Sequence, residues 1–293
     1  MDIPDHLRVG AGVVTNEGDA YLLPGKGGSR FSSAPEILKF SQNRWVEVSI
    51  YDRWAQAGSS SSWSSGNNIY IIGGSNSSGV PTDEVVRFDT DEFLYEEETK
   101  IPTGARTNAS YYTTGTKGYI GYGIQHDPTF GYAQDILSYD FETKTWETIS
   151  SPPINEEITS AHMTGNGDLI YLLFPEKDQN NFYAYSISTQ EWMTMNDFPG
   201  RQRIGSTICA TRDDVLFGMG YDSDDANEML DDIWKYNFEM NTWELFTNYP
   251  GVPYSNGFSF EYGDNVIFGG GSTEVQISEN SLNSEIYLLR LVE

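Results

Sequence analysis

Metal-binding and disulfide-forming side chains are scarce in this sequence, which has one cysteine and three histidines in 293 residues. A single thiol, Cys209, cannot form an internal disulfide or a cysteine-rich zinc site. The histidines His6, His126 and His162 leave little material for a multi-histidine catalytic metal site. We therefore predict neither a bound metal nor another cofactor.

Basic residues are also few, since 17 Lys and Arg face 43 Asp and Glu and the net charge is −26. Such a chain is repelled by phosphate backbones and anionic lipids, which argues against nucleic-acid or membrane-surface binding. No apolar run approaches the roughly 18 residues of a membrane span. A hydrophobic content of 38% with 14% aromatic residues is enough for a packed core.

The chain contains an internal repeat with a period of about 50 residues. Six short apolar runs end in glycine, or once in proline, and their matched third positions are Tyr21, Tyr70, Tyr119, Tyr171, Leu216 and Ile267. A second series of apolar positions follows at Ile37, Val85, Ile136, Phe182, Ile233 and Ile286. A third, aromatic series comes next at Trp45, Tyr95, Trp146, Trp192 and Trp243.

Each repeat reads as four short strands, in which a strand of small residues precedes the apolar run. Polar turns separate the last two strands, as expected for hairpins. No segment shows sustained 3.6-residue periodicity, so we predict negligible helix.

Several motifs of the repeat resemble those of the kelch family, and of secreted bacterial kelch proteins in particular. They are prolines after the aromatic strand, the diglycines Gly73-Gly74 and Gly269-Gly270, and the pairs Tyr139/Trp146 and Tyr236/Trp243. The resemblance implies an all-β, six-bladed β-propeller of four-stranded antiparallel blades, built as a single domain over residues 1–293.

The last repeat lacks its aromatic strand, because the chain stops after the EIYLL run. In the repeat register, Pro4 marks the end of an aromatic strand whose beginning would lie upstream of Met1. We expect either that the chain was cut from a longer one or that the sixth blade has an exposed edge.

Arginine recurs at one position of the repeat, four residues after the proline that precedes the first strand. The residues at or matched to this position are Arg8, Gln56, Arg106, Arg203 and Tyr254. Guanidinium groups converging at the channel would suit a carboxylate, a sulfate or an acidic sugar. The alternative is that each arginine hydrogen-bonds backbone carbonyls of a neighbouring blade, as the matching arginine of the family commonly does.

The loop after the second strand of blade 3 carries His126, Phe130 and Tyr132, which would make an aromatic platform for a sugar or a peptide. The corresponding blade 5 loop contains Asp222, Asp224, Asp225, Asp231 and Asp232. Its spacing lacks the glycine and final glutamate of an EF-hand, so we interpret it as a solvated acidic loop.

These features predict a non-catalytic binding module for a protein or an acidic glycan, with an electropositive centre inside an acidic rim. The alternative implied by the kelch resemblance is an enzyme like the sialic acid mutarotases, whose catalytic motif is not matched residue by residue here. The acid/base group and the carboxylate clamp of such chemistry would come from Arg106 or Arg203 with Glu156 or Glu157. The first residues lack a signal peptide, although acidity and the repeat type favour an extracellular location weakly. The sequence leaves ligand identity and oligomeric state open.

Overall fold

The structure is a computed structural model, and it describes residues 10–16, 18–23, 25–26, 33–34, 36–50, 59–76, 78, 80–126, 130–154, 156–176, 180–225, 227–276 and 281–290. Two residues of the arginine series, Arg8 and Gln56, lie outside the described residues.

The described strands form six antiparallel sheets, with small ribbons at their ends. Blade 1 contains β1 (Val13–Asn16), β2 (Asp19–Leu22), the ribbon β3 (Gly25–Lys26) and β4 (Ser33–Ala34), β5 (Glu36–Ser41) and β6 (Arg44–Ile50). Blade 2 contains β7 (Ser61–Ser65), β8 (Asn68–Ile72), β9 (Glu84–Asp89) and β10 (Tyr95–Lys100). Blade 3 contains β11 (Arg106–Thr107), β12 (Ser110–Thr113), β13 (Lys117–Gly121), β14 (Ile124–Gln125), β15 (Gly131–Tyr132), β16 (Ile136–Asp140) and β17 (Thr145–Ile149).

Blade 4 contains β18 (His162–Asn166), β19 (Leu169–Leu173), β20 (Phe182–Ser186) and β21 (Glu191–Thr194). Blade 5 contains β22 (Arg203–Ile204), β23 (Thr207–Ala210), β24 (Asp214–Gly218), β25 (Tyr221–Asp222), β26 (Asp232–Asn237) and β27 (Thr242–Asn248). Blade 6 contains β28 (Phe258–Tyr262), β29 (Asn265–Gly269) and β30 (Ile286–Arg290), so three of its strands fall in the described part of the chain.

The apolar runs form the second strand of each blade, and in blades 2 to 6 every residue of that strand after the first is buried. Both sides of these strands are covered because each blade is packed between two others. The contact is close enough to require glycine at Gly118, where a Cβ would lie 2.2 Å from the Trp63 ring of the preceding blade.

The aromatic residue of the fourth strand packs against the preceding blade. The ring of Trp146 in blade 3 lies 5.7 Å from that of Trp63 in blade 2. Across the junction of the first and last blades, Trp45 lies 6.0 Å from Phe260. These rings therefore belong to the core between blades, where their large apolar area stabilises the ring of sheets.

The first strands surround a central axis, and each contacts the first strand of the next blade around the whole circle. The circle closes between β28 and β1, and Gly10 N donates a 3.1 Å hydrogen bond to the carbonyl oxygen of Asn256. The molecule is a six-bladed β-propeller, as predicted, and it contains no α-helix among the described residues. The same residues include no segment that could cross a bilayer as a helix.

Candidate functional site

A cavity of about 750 Å³ occupies the centre of the propeller and is lined by the first strands of all six blades. One end of this channel opens on the face that carries the loops leading into the first strands, which we call the loop face. The loops after the second strands lie on this face too, because β11 pairs with β14 and β22 pairs with β25. We call the opposite side, with the tight turns after the first strands, the turn face.

Hydroxyl groups dominate the polar lining of the cavity. They belong to Thr15, Ser59, Ser60, Ser62, Ser110, Tyr111, Tyr112, Thr113, Tyr132, Thr159, Ser160, Thr164, Ser206, Thr207 and Ser259. The charged side chains among its described lining residues are Glu176 and Glu261, with no lysine or arginine. This described lining differs from the electropositive centre that the arginine series suggested.

Arg203 is buried inside blade 5 and is not part of the cavity wall. Its Nη1 and Nη2 donate to Oδ1 and Oδ2 of Asp232 at 2.6 and 2.9 Å, and its Nε donates to the Arg201 carbonyl at 3.0 Å. The guanidinium carbon lies 5.1 Å from the Phe198 ring centroid and 5.4 Å from that of Phe217. These contacts tie the loop entering β23 to the start of β26.

Arg106 has the same position in blade 3 and is also buried. Its Nη2 donates to both oxygens of Asp135, at 2.7 and 3.0 Å, and to Thr103 Oγ1 at 2.7 Å. Burial lowers the pKa of Arg106, and the charge of Asp135 opposes that shift. With no solvent-accessible guanidinium, neither arginine presents a surface to a ligand in this structure.

Tyr254 holds the corresponding position in blade 6 and is fully buried. Its ring packs edge-on against Tyr249 at 5.3 Å, within the apolar cluster between blades 5 and 6. The described members of the arginine series are thus placed inside the blades rather than around the channel.

The predicted aromatic platform of the blade 3 loop, His126, Phe130 and Tyr132, lies at the loop-face end of the channel. Phe130 is 79% exposed and Tyr132 is 42% exposed, and Tyr132 lines the cavity. The His126 ring lies 5.5 Å from that of Phe130 in an edge-to-face contact, and His126 Nε2 is 3.0 Å from Thr107 Oγ1. The structure therefore brings these three predicted residues together.

Two residues of blade 4, Glu176 and Thr159, complete this end of the cavity and were missed by the sequence analysis. Thr159 Oγ1 donates a hydrogen bond to Glu176 Oε2. The charge of Glu176 adds to burial in raising the pKa of Tyr221, which places this carboxylate beside the blade 5 loop as well. We call Tyr132, Thr159 and Glu176 the channel mouth. Glu176 follows the apolar run of its repeat, where the loops differ in length between repeats and share no signal.

A serine and a histidine also meet in the cavity wall, where Ser206 Oγ lies 2.9 Å from His162 Nε2. Burial, and then the charge of Arg203, lowers the pKa of His162 to about 4. An imidazole with that pKa is neutral at pH 7 and is a weak base toward a serine hydroxyl. The pair suits hydrogen bonding better than nucleophilic catalysis.

The remaining reactive groups are occupied or buried. Burial raises the pKa of the Cys209 thiol far above its ordinary value, so the thiolate is not available. In the acidic loop, Asp222 accepts hydrogen bonds from the backbone of Asp224 and Asp225 and pairs with Arg201. Within the described ranges, no group of three or more His, Cys, Asp or Glu side chains is arranged to hold a metal ion.

Comparisons with known proteins bear on the fold. No protein-family model matches the chain, so the kelch resemblance rests on the repeat residues themselves. No curated protein sequence matches it either. The chain is similar to a solved structure described as that of YjhT, with a TM-score of 0.77 and 12% sequence identity over 99% of this chain and 96% of that one. At this identity the likeness shows the β-propeller fold and carries no further property to this chain.

Proposed function

We propose that this propeller is a non-catalytic binding module, and that it holds a polyhydroxylated ligand, the end of a glycan, in the mouth of its central channel. The observation that carries the proposal is the combination of a cavity of about 750 Å³, a hydroxyl-rich wall and one exposed aromatic ring, Tyr132, at one end. Sugars present hydroxyls in the plane of the ring and C–H groups on its faces. Hydroxyl side chains satisfy the former, and aromatic faces pack against the latter.

The wall is also held in place before any ligand binds. Ser61 and Ser62 donate to carbonyls of neighbouring blades, Ala109 at 2.9 Å and Val13 at 3.2 Å, so the first strands are tied to each other around the cavity. Tyr111 Oη accepts from Val13 N and donates to Val13 O. A rigid wall reduces the conformational entropy lost on binding.

The test is isothermal titration with neutral tetrasaccharides such as cellotetraose, maltotetraose and N-acetylchitotetraose. We expect one of them to bind, and Tyr132→Ala to weaken that binding about tenfold, since a well-packed aromatic contact contributes on the order of 1–2 kcal/mol. Phe130→Ala should weaken it less, because the Phe130 ring packs against His126 and is not part of the cavity wall. The matched control is Phe93→Ala, because Phe93 is 51% exposed but lies in the turn between β9 and β10.

Binding by none of these sugars, or equal binding by wild type and Tyr132→Ala, would contradict the proposal. The enzymatic alternative predicts instead that the protein accelerates anomer exchange of an acidic sugar such as sialic acid, which proton NMR follows directly. That chemistry needs a cationic group for the sugar carboxylate, and the described cavity lining offers none. We therefore favour binding over catalysis. If no sugar binds and no anomer exchange is accelerated, the loop face is expected to bind a protein partner instead.

A further inference from the structure

The ligand class can be narrowed by charge, and this step rests on the proposed function. Three acidic side chains near the loop face have arginine partners: Asp135 with Arg106, Asp232 with Arg203, and Asp222 with Arg201. Glu176 differs, because no lysine or arginine of the described residues pairs with it. Its hydrogen-bond donor in this part of the chain is the neutral Thr159 hydroxyl.

Two tyrosines of the neighbouring blades lie at the same end of the channel as Glu176. Tyr132 of blade 3 lines the same cavity, and Tyr221 of blade 5 is close enough for the charge of Glu176 to raise its pKa. Aromatic faces attract cations through their quadrupole, and a carboxylate adds direct charge pairing. A protonated amine has the chemistry for both contacts, whereas a carboxylate or a sulfate has neither.

A second carboxylate lies near the far end of the channel. Glu261 lines the main cavity and also a smaller one of about 370 Å³ that it shares with Arg212, Gly165 and Tyr112. Glu261 is the second-to-last residue of β28 and lies near the turn face, whereas Glu176 lies in a loop on the loop face. A first strand of five residues spans roughly 16 Å at about 3.3 Å per residue, so the two carboxylates lie near opposite ends of a channel of about that length.

We propose that the channel selects an amino sugar with free protonated amines, with Glu176 binding the amine of the residue held at the mouth. Glu261 meets a further amine when the ligand is an oligomer long enough to enter the channel. The protein's net charge of −26 favours the approach of such a cation. Acetylation of the amine removes the charge and should therefore remove the preference.

The experiment compares two oligomers of one backbone by isothermal titration at about pH 6, where the amines are protonated and an ordinary carboxylate is ionised. The glucosamine tetramer carries free amines, and the N-acetylglucosamine tetramer is neutral. We expect the wild type to bind the free-amine form about tenfold more tightly, which is at the low end for a close charge pair in a binding interface. Added salt should reduce this difference, since it screens charge pairing.

Variants assign the effect. Glu176→Gln should abolish most of the preference for the free-amine tetramer while leaving binding of the acetylated one unchanged. Glu261→Gln should reduce the preference for the free-amine tetramer less than Glu176→Gln does. In a parallel titration with monomeric glucosamine, which is too short to reach Glu261, this variant should have no effect. Glu92→Gln is the matched control, since Glu92 is an exposed residue of a turn-face loop outside the cavity and its loss changes the net charge equally.

The outcomes separate the two proposals. If neither tetramer binds but cellotetraose or maltotetraose does, the glycan site stands and the amino-sugar class is wrong. If no oligosaccharide of either experiment binds, the proposed function is wrong. If both bind equally, or if Glu176→Gln retains the full preference, the glycan site stands and the assignment of Glu176 as the amine-binding residue is wrong. Tighter binding of a galacturonate tetramer than of the glucosamine tetramer would overturn the cationic class altogether.

Discussion

Blades 3 and 5 place an arginine at the same repeat position, yet the two resulting ion pairs are built differently. Arg203 forms a fork in which two nitrogens meet two oxygens of Asp232, and its Nε donates to a backbone carbonyl. Arg106 reaches Asp135 through Nη2 alone, and its Nε and Nη1 have no hydrogen-bond partner among the described residues. A buried donor without a partner costs about 1–3 kcal/mol.

The surroundings of the two guanidinium groups also favour the ion pair of blade 5. Phe198 and Phe217 lie within 5.4 Å of the Arg203 guanidinium and stack against its charge. The matched positions before the blade 3 proline and in β13 hold the aliphatic Ile101 and Ile120. One repeat position therefore supports a well-satisfied pair in blade 5 and a poorly satisfied one in blade 3, and sequence equivalence does not imply equal stabilisation.

The largest expected effect breaks the better pair. Arg203→Met removes the cation and leaves the partly buried Asp232 carboxylate without compensation, so we expect the free energy of unfolding to fall by about 3–5 kcal/mol. Urea unfolding of the purified variant measures it. Burial alone would raise the pKa of Asp232, but the hydrogen bonds and charge of Arg203 outweigh it and hold the pKa below its ordinary value. Without Arg203 the carboxyl becomes protonated in acid, so the loss of unfolding free energy in the variant should shrink as the pH falls. A loss under about 1 kcal/mol would show that the fork is not stabilising.

The next effect concerns His162, whose pKa is lowered to about 4 by burial and secondarily by Arg203. The folded state binds fewer protons than the unfolded state between about pH 6.5 and 4, so stability falls as pH decreases through that window and levels off below it. The shift corresponds to a loss of up to ~3 kcal/mol. We expect His162→Gln to remove this part of the pH dependence in unfolding measured from pH 7 to 4.

The pKa of His162 also tests whether the charge of Arg203 acts beyond its pair with Asp232. In Arg203→Met, an NMR titration should give a higher pKa for His162 than in the wild type, because one positive charge near it is gone. Arg106→Met is the control and should leave it unchanged, since the His162 pKa is shifted by burial and by the charge of Arg203, not by that of Arg106. An equal shift in both variants would mean that the change is structural rather than electrostatic.

Periodicity predicted most of the fold and little of the site. Matched positions such as Tyr119 and Trp146 recur at one spacing in the sequence, and this fixed the strands, the blades and their number. The direction of the arginine side chains does not follow from spacing, because Arg106 and Arg203 could extend toward the channel or back into the blade. A usable signal was present, since each of the two precedes its aspartate by 29 residues.

Glu176 shows the complementary limit. It lies in a loop where the repeats differ in length, so no matched position points to it. Its proposed role depends on the side chains that two neighbouring blades contribute to the same end of the channel, Tyr132 and Tyr221, and these are distant in sequence. Loop residues that act through contacts between blades cannot be found by comparing one repeat with another.

The smallest expected effect concerns the less satisfied ion pair, that of Arg106 in blade 3. Arg106→Met removes the cation of Asp135 but also removes two buried nitrogens that lack partners, so we expect a loss of only about 1–3 kcal/mol in unfolding free energy. The reference is Arg201→Met, because Arg201 is 44% exposed and pairs with Asp222 and Glu228 at the surface. An exposed pair of this kind contributes about 0–1 kcal/mol. The expected order of destabilisation is thus Arg203, Arg106 and Arg201, and a loss for Arg106→Met equal to that for Arg203→Met would show that the unpartnered nitrogens cost nothing.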